Sequence, residues 1–338
     1  MIRRTACLIA RGGNPYRNQA IEKHLMDTLP EDTAILYLWQ NEHSILIGRC
    51  QNPLYECKVD PFLASGGHIA RRLGGGATAY HDAGVLNFTF LLPKTQFDIA
   101  RQLGVAGMAV GAFGVQAQSG PHAILHAEGH MFGRNAFFKS GSAAMHHGAL
   151  LVNCDLEQWA RYLTGAQPAS PGPADAPVNL NALCADITVD ALQQALYWAF
   201  ARVYGAQPAW LDEQMLDSRS IEGWTARFAD PAWIYPEAIP YTFSISERFP
   251  WGGVMVKLNV EGGVIRAARI FTDAMEAPLF ASLEAALTGS PFLISAIAGR
   301  FDQRLELMND SRLMQLAGDV CNLICGRIRS LDRAGGAG

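Results

Sequence analysis

The sequence predicts an α+β protein of two domains, a larger one over residues 1–245 and a smaller α+β unit over residues 246–338. Three observations carry this expectation. The chain has 338 residues, 49% hydrophobic and 17% charged, so it can bury a large core but is too long for one compact unit. Apolar runs of strand length stand beside helix-length segments whose apolar residues share one face. Around Pro236, Pro240 and Pro250 the pattern changes to a hairpin followed by helices.

The elements follow in chain order. Met1-Ile2-Arg3-Arg4 and the short mixed run after it reach Arg11, Gly12 and Gly13 before a long apolar core forms, which reads as a first strand in place of a signal peptide and implies a cytoplasmic protein. Ala34–Trp39 and Ser44–Gly48 are apolar runs joined by Gln40-Asn41-Glu42-His43, the spacing of a buried hairpin. Asn87–Leu92 is a further strand. Phe97–Val115 has helical spacing, with Gly104, Gly107 and Gly111 expected to let it pack close to a neighbour at about 1 kcal/mol each in propensity. The uncharged stretch Gln102–Pro121 is rich in Gly and Ala and holds three glutamines, which favours a buried helix over a membrane span. Pro168–Pro177, with four prolines, reads as a loop. Thr188 caps a helix carrying Val189, Leu192, Leu196 and Val203, which Gly205 stops. Val254–Val260, the turn Glu261-Gly262-Gly263 and Val264–Phe271 form a hairpin, and Pro278 opens a helix with Leu279, Leu283 and Leu287 that ends at Gly289.

Charge excludes one class of partner. The 27 basic and 31 acidic residues give a net charge of -4, which lacks the positive field that nucleic acid or an anionic membrane needs. Only Lys23, Lys58, Lys94, Lys139 and Lys257 are lysines; the other basic residues are arginines. The seven cysteines are scattered and include no Cys-x-x-Cys, as expected of reduced, mostly buried thiols. Cys321 and Cys325 read as core positions of a terminal helix.

Chemistry concentrates in three segments. In Arg71-Arg72-Leu73-Gly74-Gly75-Gly76-Ala77-Thr78-Ala79-Tyr80-His81-Asp82, glycines bring backbone N–H groups within reach of an anion and the arginines supply forked donors. Neither a Walker loop nor a dinucleotide fingerprint is present. In Phe137-Phe138-Lys139-Ser140-Gly141-Ser142, followed by His146-His147-Gly148, a solitary lysine beside small residues suits a carboxylate or phosphate. His122, His126 and His130 have ligand-like spacing, but the zincin order and a fourth ligand are missing.

These residues, taken in order, carry a resemblance. Asn14-Pro15 to Glu22, Leu36–Trp39, Ile47-Gly48-Arg49, Gln51-Asn52-Pro53, the Arg71–Asp82 segment, Phe88-Thr89-Phe90, Ser140–Ala143, His146-His147-Gly148, Trp251-Gly252-Gly253 and Phe271-Thr272-Asp273 resemble the lipoate-protein ligase A family. The resemblance implies a catalytic domain like that of biotin ligases and class II tRNA synthetases, followed by a small C-terminal domain. It implies binding of ATP, with Mg²⁺, by Arg72, Gly74, Gly75, Gly76, Ala77, Thr78, Ala79, Tyr80 and Lys139. It places lipoate or octanoate against Arg72, Gly76, His81, Lys139, Ser142 and His147, and makes Lys139 the catalytic cation; none of these residues is expected to hold a metal. The acyl acceptor would be a lysine of a lipoyl domain, on a 2-oxoacid dehydrogenase E2 subunit or a glycine cleavage H protein, and the ligase itself a monomer.

The sequence departs from the family at the nucleotide end. Leu73 stands where Ser or Thr is usual, Phe138 occupies the family's lysine position with Lys139 one residue later, and Gly120-Pro121-His122-Ala123 replaces Gly-Arg-Asn-Asp. Two functions are therefore compatible with the residues. One is an ATP-dependent ligase that adenylates lipoate; the other is a non-adenylating member that binds or transfers a lipoyl group or lipoyl domain.

Overall fold

A computed structural model describes residues 2–120, 123–164 and 176–335, with side chains to Ser330. The chain forms two compact units. One comprises Met1–Ile47, Pro53–Leu73 and Thr78–Tyr235, the other Gly48–Asn52, Gly74–Ala77 and Pro236–Gly338.

The first unit is built on strands β1 (Arg4–Ile9), β2 (Thr33–Trp39), β3 (Ser44–Ile47), β4 (His68–Arg71), β5 (Ala79–His81), β6 (Val85–Pro93), β7 (Ala117–Ser119), β8 (Leu125–Ala127), β9 (His130–Ser140), β10 (Ala143–Leu151) and β11 (Ala209–Trp210). Eight of them form one sheet in the order β11-β1-β2-β6-β10-β9-β8-β7, and β4-β3-β5 form a second. The expected hairpin of Ala34–Trp39 with Ser44–Gly48 does not form. Strand β2 pairs with β1 and β6, whereas β3 pairs with β4 and β5. Both runs are buried throughout, so each needs neighbours of its own, and the four-residue connection carries the chain from one sheet to the other.

Strand β6 shows how the large sheet separates its faces. Leu86, Phe88, Phe90 and Leu92 pack into a core with Leu103, Val105 and Ala109 of the helix Ile99–Gly111 and Leu192, Leu196 and Phe200 of the helix Val189–Tyr204. The intervening residues face the other way, where Leu91 joins Ile21 and Leu25 of the helix Pro15–Asp27. That helix is started by Asn14, whose Oδ1 accepts from the N–H groups of Tyr16 and Arg17, with Pro15 in the first turn. The helix predicted over Phe97–Val115 spans Ile99–Gly111; Gly114 follows at φ +80°, and the chain turns into β7. Gly104 and Gly111 do not serve close packing, because a Cβ on either would meet no atom within 4 Å, and one on Gly107 would meet only Ala117 Cβ at 4.0 Å. Thr188 caps the helix Val189–Tyr204 by accepting from Ala191 N–H, and Gly205 ends it in the left-handed region. Most of the proline-rich segment Pro168–Pro177 lies outside the described residues, which omit 165–175.

In the second unit β12 (Phe243–Phe249), β13 (Gly252–Glu261) and β14 (Val264–Thr272) form an antiparallel sheet. Gly262 and Gly263, both with positive φ, make its β13–β14 turn. The helices Ala277–Leu287, Ile294–Leu305 and Ser311–Gly335 cover the sheet through Leu283, Phe301, Val320 and Ile324. Cys325 is buried and Cys321 half-buried on the last helix.

Candidate active site

Cross-strand register sets out the face of the large sheet opposite the helix Ile99–Gly111. Tyr37, Thr89, His147 and Ala136 are direct partners across β2, β6, β10 and β9; the next row holds Trp39, Asn87, Ala149 and Arg134. Paired residues share a face, so these eight side chains form one surface. Glu22, from the helix Pro15–Asp27, reaches onto it. Its Oε1 accepts from Thr89 Oγ1 at 2.6 Å and lies 3.1 Å from His147 Nδ1, while Trp39 Nε1 donates to Thr89 Oγ1 at 3.1 Å. The Trp39 and His147 rings meet edge to face at 5.0 Å. This carboxylate fixes the imidazole proton on Nδ1 and turns Nε2 away from the helix.

Arg72, just after β4, is buried and donates from Nη1 to the carbonyl of Leu46 at 3.0 Å. Burial pushes its guanidinium down to about 10; the Glu22 charge opposes that shift and the Arg134 charge adds to it. His81, on β5, lies 3.3 Å through Nδ1 from Asn41 Nδ2. Burial, then the neighbouring His147 and Arg72, hold His81 well below the usual imidazole range. Thus β4, β5 and β10 bring Arg72, His81 and His147 together around Glu22. Arg71 does not join them: its Nε and Nη2 donate to the Ile234 carbonyl at 3.0 and 2.6 Å.

Other expected residues lie elsewhere. Lys139 pairs with Ala144, three register positions from the row of His147 and Ala136, on the face where His146 meets Gln102; its ammonium stands 5.0 Å from the Phe97 ring centroid. The Ser140–Ala143 segment is the tip of the β9–β10 hairpin, and Ser142 is exposed there. Because β9 continues as regular strand through Ser140, the one-residue offset of the lysine turns it to the opposite face, and Phe138 takes the inward position beside Met145. Tyr80 also points away. Its OH lies 3.0 Å from His43 Nδ1 among Phe62 and Tyr162, and burial raises the phenol. Thr78 is buried, and Ala79 pairs with Leu46.

Gly74–Ala77 cluster with the second unit. Gly76, at φ +90°, donates its N–H to the Ala274 carbonyl at 3.1 Å, and a Cβ on Gly75 would collide with that carbonyl and come 2.7 Å from Met275 Cα. Gly75 is thus required by close backbone packing within this unit and Gly76 by its positive φ, and the Gly76 amide is already used. Of the histidine series, His126 lies on β8 and His130 opens β9; His122 is outside the described residues. Among the described residues no three His, Cys, Asp or Glu side chains are grouped to hold a metal.

Sequence reading alone did not single out Thr89, Asn87 or Arg134 as site residues, and it treated Glu22 and Trp39 only as part of the resemblance. A usable signal was present. Glu22 interrupts the apolar side of its helix, and Asn87 and Thr89 interrupt an otherwise apolar strand.

The comparisons agree with this architecture. Residues 14–201 match the model of the lipoyl protein ligase A/B catalytic domain, and residues 238–310 that of the bacterial lipoate protein ligase C-terminus. Lipoate-protein ligase A of Psychrobacter cryohalolentis is 30% identical over 307 residues, covering 86% of this chain and 89% of the relative. The crystal structure of P. falciparum LipL1 in complex with lipoate has a TM-score of 0.83 at 22% identity, over 94% of this chain and 99% of that one. A lipoate-protein ligase A bound with ATP gives 0.57 at 21% identity, over 69% and 96%. These two likenesses establish a shared fold, and the sequence matches establish kinship: the chain belongs to the lipoyl protein ligase family.

Proposed function

We propose that the protein is a cytoplasmic, monomeric ligase that adenylates lipoate or octanoate with ATP and transfers the acyl group to a lysine of a lipoyl domain, on a 2-oxoacid dehydrogenase E2 subunit or a glycine cleavage H protein. The observation that carries this reading is the convergence of Arg72, His81 and His147 on one buried surface inside the segment that matches the catalytic-domain model. In the first step a carboxylate oxygen of the fatty acid attacks the α-phosphorus and pyrophosphate leaves. In the second the lysine amine attacks the acyl carbon, AMP leaves with the bonding pair, and the amine loses a proton. Arg72 contributes a buried cation for the carboxylate and for charge developing at phosphorus. No carboxylate cage for Mg²⁺ is formed by the described residues, so the ion would arrive on the nucleotide phosphates and no step is assigned to it.

The position of Lys139 favours a second reading, in which the protein transfers a lipoyl group supplied already activated. Lipoate-dependent ATP–pyrophosphate exchange separates the two. Exchange above a no-lipoate control supports the ligase. Its absence, with transfer from preformed lipoyl adenylate to a lipoyl domain retained, supports the transferase.

A further inference from the structure

The two histidines of the site are held in opposite tautomers, and the helix Pro15–Asp27 sets both. His147 Nδ1 faces the Glu22 carboxylate at 3.1 Å, which can only accept, so Nδ1 carries the proton and Nε2 the lone pair. His81 Nδ1 faces Asn41 Nδ2 at 3.3 Å. Which end of the Asn41 amide stands there follows from its neighbours. Asn18, one turn before Glu22, puts Nδ2 against the carbonyls of Gly12 and Gln40 at 3.2 and 2.7 Å. Two carbonyls require the amide's NH2 end, so the Asn41 atom 3.1 Å from Asn18 Nδ2 is the oxygen, and the Asn41 NH2 is left to donate to His81. His81 Nδ1 therefore holds the lone pair and Nε2 the proton.

Burial, with His147 and Arg72 nearby, keeps His81 neutral. Among the described residues neither Nε2 has a hydrogen-bond partner, and neither is closed off from solvent as the Asn87 amide is; 7% of the His147 side chain remains exposed. Two neighbouring rings thus present one donor and one acceptor. The other ionisable groups around His147 are Glu22, His81 and Arg72, then Arg134 in the next row, Tyr37 in its own row, and His146 on the opposite face. Burial keeps the Tyr37 phenol neutral, so Glu22 is the group in this set that can pair with an imidazolium.

We propose that in the transfer step His147 Nε2 takes the proton of the attacking lysine nitrogen while His81 Nε2–H donates to the acyl carbonyl oxygen, with Glu22, Asn18 and Asn41 as positioning residues. The neutral amine forms the N–C bond, the carbonyl oxygen gains negative charge against His81, and the C–O bond to AMP breaks with its electron pair leaving on the phosphate oxygen. The amine proton passes to His147, whose imidazolium stays paired with Glu22 until the proton returns to solvent. This rests on the reading that an acyl adenylate is handed to a lysine, a step the ligase and the transferase share.

Nitrogen-15 spectra of the full chain read the tautomers directly, with His81→Gln and His147→Gln assigning the rings. The proton is expected on Nε2 of His81 and Nδ1 of His147, and the same tautomer in both rings overturns the proposal. Single-turnover transfer from preformed lipoyl adenylate to a lipoyl domain, followed across pH, tests the roles. His147→Gln should lower the rate constant about a hundredfold, the scale of a lost general base, and remove the break that imidazole ionisation puts in the wild-type profile. Glu22→Gln should keep that break and move it to lower pH, because the imidazolium loses its counter-charge. Asn41→Asp, whose carboxylate would draw the His81 proton onto Nδ1, should cost about a hundredfold, the scale of one oxyanion donor. A His147→Gln variant that keeps the wild-type rate or the break overturns the proposal and leaves the proposed function standing. A wild type that transfers nothing from the preformed adenylate removes both.

Discussion

Glu22 Oε1 lies 3.1 Å from His147 Nδ1, and both side chains are almost fully buried. The same oxygen accepts the Thr89 hydroxyl, so one carboxylate orients residues from two strands. Glu22→Ala would leave both donors without an acceptor in the core. We expect a loss of about 2–4 kcal/mol, read as a lower urea midpoint, and a smaller loss for Glu22→Gln, which keeps an acceptor oxygen. Equal melting of Glu22→Ala and wild type would show that the pair does not contribute to the fold.

Gly75→Ala tests the reading of the glycine run as packing. The added methyl would strike the Ala274 carbonyl and stand 2.7 Å from Met275 Cα. Backbone cannot yield as a flexible side chain can, so a loss of about 1–3 kcal/mol is expected. Gly66→Ala offers a contrast: it meets no atom within 4 Å but sits at φ +83°, so its cost of about 1 kcal/mol is conformational. Thermal melts of the two variants, each beside wild type, give the order.

Local signals in the sequence were reliable where one residue's chemistry decides the outcome. Thr188, Gly205, the Gly262-Gly263 turn and the helix begun near Pro278 form as capping and turn rules require. Pairing between distant strands was not legible. Nothing in Gln40–His43 announces that β2 and β3 enter different sheets, because a buried strand reads as an apolar run whichever partner it has. The site was half legible for the same reason. Arg72, His81 and His147 stand in recognisable motifs, whereas the direction of Lys139 depends on where β9 ends, and a strand one residue longer reverses it.

Thr188→Ala isolates a single cap. The Thr188 Oγ1 accepts from Ala191 N–H at 3.2 Å at the start of a helix whose Leu192, Leu196 and Phe200 support the large sheet. Loss of the acceptor should cost about 1 kcal/mol, seen as a shifted urea midpoint with unchanged far-UV circular dichroism. Thr188→Ser should restore the midpoint, since it keeps the hydroxyl.

His146 predicts how stability depends on pH. Its Nε2 lies 2.8 Å from Asn135 Oδ1 and its Nδ1 2.9 Å from Gln102 Oε1, in the core between Phe88, Phe90 and Phe137. Asn135 is held in place by donating to the Ala123 carbonyl. Burial, aided by His147, pushes His146 down to about 3 from an ordinary 6.5. Below the ordinary value the unfolded chain takes up a proton that the folded chain refuses, so its contribution is complete above that pH. It declines as the pH falls toward the folded value, by about 1.4 kcal/mol per pH unit. Between about pH 7.5 and about pH 5 the wild type should therefore lose about 2 kcal/mol more than His146→Gln, which keeps polar atoms at the site but cannot titrate. Urea titrations of both proteins at the two pH values measure the difference; parallel losses would mean that His146 takes up its proton at the same pH folded and unfolded, and a wild type that loses less than the variant would mean that the folded protein holds an imidazolium between the two amide oxygens.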